Sequence, residues 1–290
     1  MGNFCCHFKN YKQNKNLKKN KSIYYKLILG SKIDNYYVSN KIYNKVWILN
    51  KQNNKYLGKL VKRNYKSMYE IEALKKNKSN RLPILDKLLN YDYCSFIIYK
   101  YIKGFDLYDT FVSEIPILEK SVYPLFYQMV NCINECHNLG YLHLDIKLEN
   151  FIATPESIFN SNNIQYKLTL VDLGHCLPNV ANKILISKMR GTKGYFAPEI
   201  LYKFVTGKSD VWSLGCTIYV LLTGSFPFSK NNIKFIKQAS DEKYIEHKIH
   251  NIKHISKNLK NIMIQMFRYE YNDRISILNL QNHSYFKSLC

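Results

Sequence analysis

The sequence is poor in arginine and in acidic residues. Five of its 43 basic residues are Arg, Asp and Glu together number 21, and the formal net charge over 290 residues is +22. Arginine makes most of the bidentate contacts that read DNA bases, so its scarcity argues against base-specific nucleic-acid recognition. The net charge indicates either an acidic partner, such as a phosphate ligand or an anionic membrane, or a lysine-rich surface that is simply solvated.

Long apolar runs and closely paired cysteines are also absent. No apolar run reaches the roughly 18 residues of a membrane-spanning helix, and the amino terminus lacks the apolar stretch of a secretory signal. The eight cysteines include no C-x-x-C pair, which argues against a zinc site, and we expect reduced intracellular thiols. Because 46% of the residues are apolar, the chain can bury a sizeable core as one large domain or two lobes.

The first 22 residues form a basic tail whose start resembles a dual-acylation signal. Gly2 becomes a myristoylation site once Met1 is removed, and Cys5 and Cys6 can accept palmitate. The tail carries six lysines and no acid, and acyl chains together with a basic patch give stable anchoring to an anionic membrane. We therefore expect a protein anchored to the cytoplasmic face of a membrane. The alternative is a cytoplasmic protein with a solvated tail and an accidental Gly2.

One stretch, residues 143–150, brings an acid, a base and an amide into a single loop, His-Leu-Asp-Ile-Lys-Leu-Glu-Asn. Phosphoryl transfer needs a carboxylate to orient the attacking hydroxyl, a cation near the moving phosphoryl group, and oxygen ligands for Mg²⁺. Asp145 can orient the hydroxyl, Lys147 can face the phosphate, and Asn150 can bind metal together with Asp172. Taken alone, the same residues also fit an ordinary polar loop.

The apolar pattern changes along the chain from short runs to helical spacing. Short runs that predict strands cover residues 24–29, 36–38, 46–49, 56–61, 84–89 and 96–102, and a helical pattern covers 67–76. From these six runs we expect five strands, which form a small lobe around one helix. Further along, helices are predicted over 116–139 and 210–222, with a strand over 167–171 between them.

The chain carries seven features in a fixed order: Lys59, Glu70, residues 143–150, Asp172, Ala197–Glu199, Asp210–Gly215 and Arg274. Their order and spacing resemble the eukaryotic protein kinase domain of the Ser/Thr type, over about residues 24–288. The resemblance implies an α+β, two-lobed fold, with a β-rich N-lobe over 23–103 and a larger, mainly helical C-lobe over 104–288. It also implies ATP and Mg²⁺ as cofactors and Ser or Thr hydroxyls of proteins as substrates.

The resemblance implies a role for each matching residue of the C-lobe. Asp145 would be the catalytic base, Lys147 a γ-phosphate contact, and Asn150 and Asp172 the Mg²⁺ ligands.

Four further C-lobe residues match positions that serve substrate docking or structure in the family. Thr192 supports Ser/Thr specificity, Asp210 would hold the catalytic loop in place, and Arg274 would pair with Glu199.

The resemblance also implies nucleotide contacts near the start of the chain. Lys59 would hold the α- and β-phosphates and pair with Glu70, with Lys62 and Glu72 as fallbacks. Two ordinary surface charges are the plain alternative for this pair.

Three positions near residue 100 match the part of the family that binds adenosine. Tyr99 would be the gatekeeper, Ile102 would offer backbone groups to adenine, and Asp106 would contact the ribose. An ordinary buried strand end fits the same residues.

The sequence departs from the family in its glycine-rich loop. The three glycines of that loop would fall at Ser39, Lys41 and Asn44, and none of the three is present. Glycine lets the main chain approach phosphates closely, so nucleotide binding is either loose or supported by side chains such as Lys41 and Lys45.

A second departure concerns regulation by phosphorylation of the activation loop. Leu144 replaces the Arg that usually pairs with a phosphate on the activation loop, and that loop, residues 175–190, contains Ser187 as its one hydroxyl. Both facts predict a loop that does not need phosphorylation. The missing glycines and Leu144 also fit a catalytically weak or inactive pseudokinase that acts as a membrane-bound scaffold.

Overall fold

The computed structural model describes residues 29–111, 113–158 and 164–289. Their contacts divide them into two compact units. The first unit holds residues 29–63 and Leu85–Tyr101, and the second holds Asn64–Ile84 and the described residues from Ile102 onward. This division assigns 64–84 to the second unit, whereas the lobe boundary expected from the sequence lies near 103. The basic tail and the predicted strand over 24–28 lie outside the described residues.

The first unit is a six-stranded antiparallel sheet in the order β1-β2-β3-β4-β6-β5. Its buried side includes Tyr36, Trp47, Leu49 and Phe96. Gly58 lies so close to this core that a Cβ atom there would be 2.5 Å from the Phe96 ring, so a larger residue does not fit. The strands are β1 Lys32–Ile33, β2 Tyr36–Tyr43, β3 Val46–Lys51, β4 Asn54–Lys62, β5 Leu85–Asn90 and β6 Cys94–Lys100.

The sheet has one strand more than the five expected. The additional strand, β1, is two residues long, which is too short to show an alternating pattern. The predicted segment over 24–29 contributes no strand within the described residues, because its last residue, Leu29, lies in a turn.

The second unit begins with helix α1, Tyr65–Lys76. Asn64 caps it by accepting hydrogen bonds from the backbone of Lys66 and Ser67, which satisfies amide groups that a helix start leaves unpaired. The helix therefore starts two residues earlier than its apolar spacing indicates. Its buried face includes Glu70 and Leu74.

The rest of the second unit is mainly helical. Helix α3 buries a face that includes Val122, Phe126 and Met129, and helix α4 is buried around most of its circumference after a cap at Thr206. The helices are α2 Leu107–Phe111, α3 Glu119–Asn138, α4 Gly207–Thr223, α5 Asn232–Ser240, α6 Glu242–His250, α7 Lys257–Met266 and α8 Ile277–Gln281. No helix within the described ranges combines the length and apolar character needed to cross a membrane.

Short strands of the second unit frame the loops that matter below. They form a three-stranded sheet in the order β10-β9-β7 and two small pairs, β11 with β8 and β12 with β13. The strands are β7 Phe105–Asp106, β8 Tyr141–Leu142, β9 Phe151–Ile158, β10 Ile164–Leu170, β11 Leu177–Pro178, β12 Ile184–Leu185 and β13 Phe204–Val205. The predicted α+β class, with a β-rich first part and a mainly helical second part, is confirmed.

Candidate active site

The loop over residues 143–150 connects β8 to β9 and is held by a buried carboxylate from helix α4. Asp210 accepts hydrogen bonds from the backbone N–H of His143 at 2.8 Å and of Leu144 at 2.7 Å. His137, in the last turn of α3, lies 2.9 Å from the same carboxylate. Burial raises the pKa of Asp210, but the hydrogen bonds and the nearby imidazoles of His137 and His143 outweigh it and lower the pKa below its usual value.

Leu144 shows why this carboxylate is needed. Its φ of 64° lies in the left-handed region, which costs a residue with a Cβ atom about 1–2 kcal/mol. The two N–H groups held by Asp210 offset this cost. The Leu144 side chain is buried and apolar. The position that the resemblance gives to an Arg therefore holds no side-chain donor.

His143 joins the loop to the strand that precedes Asp172. Its Nε2 lies 3.0 Å from the backbone oxygen of Val171, and its Nδ1 accepts from the backbone N–H of Asp145 at 3.3 Å. The backbone N–H of Val171 in turn donates to the carbonyl of Asn150 at 2.8 Å. The two segments that carry the predicted catalytic and metal-binding residues are therefore fixed to each other.

The carboxylate of Asp145 is the centre of a small hydrogen-bonded group. The Thr192 hydroxyl donates to Asp145 Oδ1 at 2.7 Å, and the Asn150 amide nitrogen lies 3.2 Å from Asp145 Oδ2. The Lys147 ammonium lies 3.6 Å from Asp145 Oδ2 and donates to the Thr192 hydroxyl at 3.0 Å. Asp145 is buried and Lys147 half-buried, so a carboxylate, a cation and a hydroxyl meet in one place.

The predicted metal ligands offer oxygen atoms of the kind Mg²⁺ prefers. Asn150 uses its amide nitrogen on Asp145, including a 2.7 Å bond to the backbone oxygen, and its amide oxygen has no hydrogen-bond partner among the described residues. Asp172 is exposed, and one of its carboxylate oxygens accepts from the backbone N–H of Gly174 at 3.3 Å. The described part of the chain contains no cluster of three or more His, Cys, Asp or Glu that could hold a metal. An Asn and an Asp fit a Mg²⁺ ion that keeps several other ligands.

The ion pair between Glu199 and Arg274 is present and buried. Two nitrogens of the guanidinium bind the two carboxylate oxygens at 2.8 and 3.0 Å. Ser209 adds a hydrogen bond to the carboxylate at 2.6 Å, and the guanidinium lies 4.9 Å from the centre of the Trp212 ring. This arrangement attaches the segment that follows Thr192 to the core of the second unit.

The predicted phosphate contact Lys59 and its predicted partner Glu70 lie on different units, and both differ in burial from their fallbacks. Lys59 is a half-buried residue within β4, whereas Lys62 is exposed at the end of that strand. Glu70 is buried in α1, whereas Glu72 is exposed and accepts from the Tyr141 hydroxyl at 3.2 Å. Lys59 and Glu70 are thus more buried than Lys62 and Glu72, and the role of each with nucleotide stays a prediction.

The predicted adenosine contacts also divide between the units. Tyr99 is buried in β6 of the first unit, in register with Leu57 and Leu85. In the second unit, Ile102 is half-buried, and Asp106 accepts from the backbone N–H of Asp109 at 2.8 Å, which caps helix α2. Asp106 thus has a structural role in addition to the predicted ribose contact.

The glycine-poor hairpin between β2 and β3 does not need glycine for its backbone. Neither Ser39, Lys41 nor Asn44 has a positive φ, and the left-handed residue of this hairpin is Lys45, with a φ of 66°. The Lys45 carbonyl accepts from the backbone N–H of Leu60 at 2.9 Å, which attaches the turn to β4. Side chains at the three positions are therefore compatible with the fold.

The structure brings two residues to this region that the sequence patterns do not reveal. Arg190 is buried, and its Nη1 donates to the backbone oxygen of His175 at 2.9 Å. His175 accepts at Nδ1 from the backbone N–H of Gly191 at 3.0 Å. An Arg between loop residues reads as a solvated charge, so local sequence gives no signal for its burial. The predicted lipidation residues Gly2, Cys5 and Cys6 lie outside the described residues.

Comparisons with known proteins identify a family for the chain. A family model described as the protein kinase domain matches residues 35–286. The serine/threonine-protein kinase SRK2B of Arabidopsis thaliana is 30% identical over 197 residues, which are 66% of this chain and 52% of that protein. The serine/threonine-protein kinase cds1 of Schizosaccharomyces pombe is 31% identical over 200 residues, 66% of this chain and 41% of that protein. The putative sperm motility kinase W of Mus musculus is 28% identical over 193 residues, 66% and 36% of the two chains. The chain spans about half or less of the length of these relatives.

Proposed function

Since this chain belongs to the protein kinase family, we propose that it transfers the γ-phosphoryl group of ATP to Ser or Thr hydroxyls of protein substrates. Two of the relatives are named as serine/threonine-protein kinases. The proposal assigns this chain the same reaction class and leaves its particular substrate open.

The hydrogen-bonded group around Asp145 carries the proposal. Its carboxylate accepts from the Thr192 hydroxyl at 2.7 Å and has the Lys147 ammonium 3.6 Å away. A hydroxyl held against a buried carboxylate beside a cation is the arrangement that a phosphate acceptor needs, because transfer depends mostly on positioning and charge. A polar loop without this function has no need to hold these three groups together around a buried carboxylate.

In the proposed reaction, the substrate hydroxyl lies against the Asp145 carboxylate, which orients the oxygen and takes its proton. The oxygen forms a bond to the γ-phosphorus as the bond between that phosphorus and the departing ADP oxygen breaks. Lys147 stabilises the negative charge on the transferred group, and Lys59 contributes to holding the other phosphates. Asn150 and Asp172 would hold Mg²⁺, which supplies positive charge to the phosphates when bound.

The test is phosphate transfer from labelled ATP to a general protein substrate, with wild type, Asp145→Asn and Asp172→Asn. We expect wild type to label Ser and Thr, and Asp145→Asn to lower kcat by about 10²–10⁴-fold, the usual contribution of a positioned acid–base group. Asp172→Asn removes a carboxylate charge proposed to bind Mg²⁺ and should also reduce transfer strongly. The exposed Asp92, changed to Asn, is the matched control and should leave transfer unchanged.

The second candidate function is a pseudokinase scaffold, which the glycine-poor hairpin and Leu144 favour. The experiment above separates the two functions. Equal labelling by wild type and Asp172→Asn, or no labelling by either with Mg²⁺ or Mn²⁺, would support the scaffold. Labelling confined to Tyr would contradict the proposed Ser/Thr specificity.

The location of the protein is part of the proposal as well. The basic tail with Gly2, Cys5 and Cys6 supports attachment to the cytoplasmic face of a membrane. Cell fractionation of wild type, Gly2→Ala and the double variant Cys5→Ser/Cys6→Ser tests it. Wild type should sediment with membranes and Gly2→Ala should be released, whereas retention of Gly2→Ala would rule out myristate as the anchor.

A further inference from the structure

Arg190 is a buried cation whose partners are backbone carbonyls. It is 5% exposed, and its Nη1 donates to the oxygens of His175 at 2.9 Å and of Cys176 at 3.4 Å. Among the described residues, no carboxylate lies within ion-pair distance of it. Burial lowers the pKa of its guanidinium. Burying an Arg without an acid is costly, so the residue must hold something that apolar packing would not.

The segment next to Arg190 contacts both the start of the activation loop and the catalytic loop. The backbone N–H of Gly191 donates to Nδ1 of His175 at 3.0 Å. Gly191 has a φ of 85°, and a Cβ atom there would lie 2.4 Å from the backbone oxygen of Leu144. Residues 190 and 191 therefore bind the start of the activation loop on one side and lie against the catalytic loop on the other.

Thr192, the next residue, links this segment to the proposed catalytic base, Asp145. Thr192 donates to Asp145 Oδ1 at 2.7 Å and accepts from Lys147 at 3.0 Å. A shift of Gly191 would therefore move the hydroxyl that holds the Asp145 carboxylate. Leu144, at the position where the resemblance expects an Arg, contributes no side-chain hydrogen bond to this connection because its side chain is apolar.

We propose that Arg190 and His175 are positioning residues that orient Asp145 through Gly191 and Thr192, so that no phosphate on the activation loop is required. The term latch here means these two side chains, the bonds of Arg190 to the carbonyls of His175 and Cys176, and the bond between His175 and Gly191. The latch rests on the proposed kinase function, because it concerns how the Asp145 carboxylate of the same site is oriented. Arg190, a donor within the activation loop, orders this loop in place of the Arg that Leu144 replaces.

The first experiment compares two substitutions of His175 in the full chain. Asn places an acceptor oxygen near the position of Nδ1, whereas Leu has a similar volume without an acceptor. We expect His175→Asn to keep most of the wild-type kcat and His175→Leu to lose about 10²-fold, the cost of a misplaced reacting group, with KM for ATP nearly unchanged. A packing role would make Leu as good as Asn or better, so equal kcat values would overturn the latch.

The second experiment changes the guanidinium. Arg190→Ala should lower kcat about as much as His175→Leu, and Arg190→Lys, which keeps a donor, should retain more. Lys188→Ala, an exposed basic neighbour, is the matched control and should not change kcat. Phosphatase treatment of wild type should leave kcat unchanged, and a loss of activity together with phosphate from Ser187 would contradict the proposal.

A third measurement does not depend on catalysis. Hydrogen exchange of peptides covering 143–150, 172–177 and 190–196 should become faster in Arg190→Ala than in wild type or Lys188→Ala, because the amide of Gly191 loses its fixed acceptor. Unchanged exchange would overturn the latch even if the chain transfers phosphate. Faster exchange in a chain that transfers no phosphate would support the latch and contradict the proposed function instead.

Discussion

Two segments match parts of the kinase family that contact phosphate, yet they are built differently. They are the β2–β3 hairpin of the first unit and the loop over 143–150 of the second unit. Residues 40–44 of the hairpin are all exposed, and the backbone of Lys41 bonds to the side chain of its own neighbour Asn40. In the loop, six of eight residues are buried, and Asp210 and Val171 fix it from distant parts of the chain. One segment is an exposed hairpin paired with the next strand in sequence, and the other is held by long-range hydrogen bonds.

This difference shows where the fold tolerates departures from the family. The hairpin has lost all three expected glycines without strain at those positions, since none has a positive φ. The loop keeps its acid, base and amide, and its one departure, Leu144, is an apolar residue in a buried position. Groups that must meet within 3–4 Å tolerate little displacement, whereas a cover over phosphates can be built in more than one way.

The largest effect on stability should come from breaking the buried ion pair between Glu199 and Arg274 in the second unit. Glu199→Ala leaves the Arg274 guanidinium buried without a carboxylate, so the free energy of unfolding should fall by about 3–5 kcal/mol. Urea unfolding at neutral pH measures it. A loss below about 1 kcal/mol, as for an exposed pair, would mean that the second unit is not held by buried charges in the way described.

A smaller effect is expected from the hairpin. The double variant Lys41→Ala/Lys45→Ala should raise the ATP dissociation constant about tenfold, or ~1.4 kcal/mol, if these side chains replace the backbone donors of a glycine loop. Calorimetry measures the constant, and kcat should change little. Lys51→Ala/Lys55→Ala, in the neighbouring β3–β4 hairpin, is the matched control. Equal affinities for the two double variants would remove the compensating role of Lys41 and Lys45.

A still smaller, pH-dependent effect is expected at the surface of the first unit. The hydrogen bond from Lys87, at 2.6 Å, lowers the pKa of Asp34. A carboxyl with a lowered folded-state pKa stabilises the fold above its unfolded value of about 3.9 and loses this contribution as the pH falls through the folded value. Asp34→Asn should therefore cost less than about 1 kcal/mol at neutral pH. The cost should vanish at strongly acidic pH in urea titrations, and a cost that persists there would contradict the assignment.

The smallest expected effect is a difference in thiol reactivity between the units. Burial raises the pKa of Cys132 to about 12 and also raises that of Cys136, both in helix α3 of the second unit. Cys94 of the first unit is half-buried, with a pKa raised by burial and by Asp92. Since the thiolate is the reactive form, iodoacetamide should label Cys94 faster than the two buried thiols, as read by peptide mass mapping. Rapid labelling of Cys132 in folded protein would contradict its burial.

Much of the architecture could be predicted because its signals are local. The helical spacing of apolar residues located α3 and α4, because a buried helix face repeats with the period of the helix. Short apolar runs located β3, β4 and β6. Helix α1 began earlier than predicted because a cap, Asn64, lies outside the apolar pattern. The match of the kinase domain model to residues 35–286 confirms the resemblance.

Less of the site could be predicted, because its order depends on residues far apart in the sequence. Asp210 binds backbone groups 66 and 67 positions away, and Arg190 binds the carbonyl of a residue 15 positions away. Which amide a buried carboxylate accepts from, and which carbonyl a buried Arg donates to, is decided by tertiary packing. Motif matching identifies Asp145 and Thr192 as candidates, but it does not reveal the hydrogen bond between them. The roles of the nucleotide and metal contacts stay predictions.

The left-handed backbone of Leu144 has a consequence for the order in which the protein is made. The carboxylate that holds this backbone belongs to Asp210, and the ion pair that attaches the neighbouring segment ends at Arg274, so both partners leave the ribosome well after residue 144. A growing chain that stops short of helix α4 contains Asp145 and Lys147. It lacks Asp210, whose carboxylate offsets the cost of the left-handed backbone at Leu144. The hydrogen bonds that fix residues 143 and 144 can therefore form only after helix α4 has been synthesised.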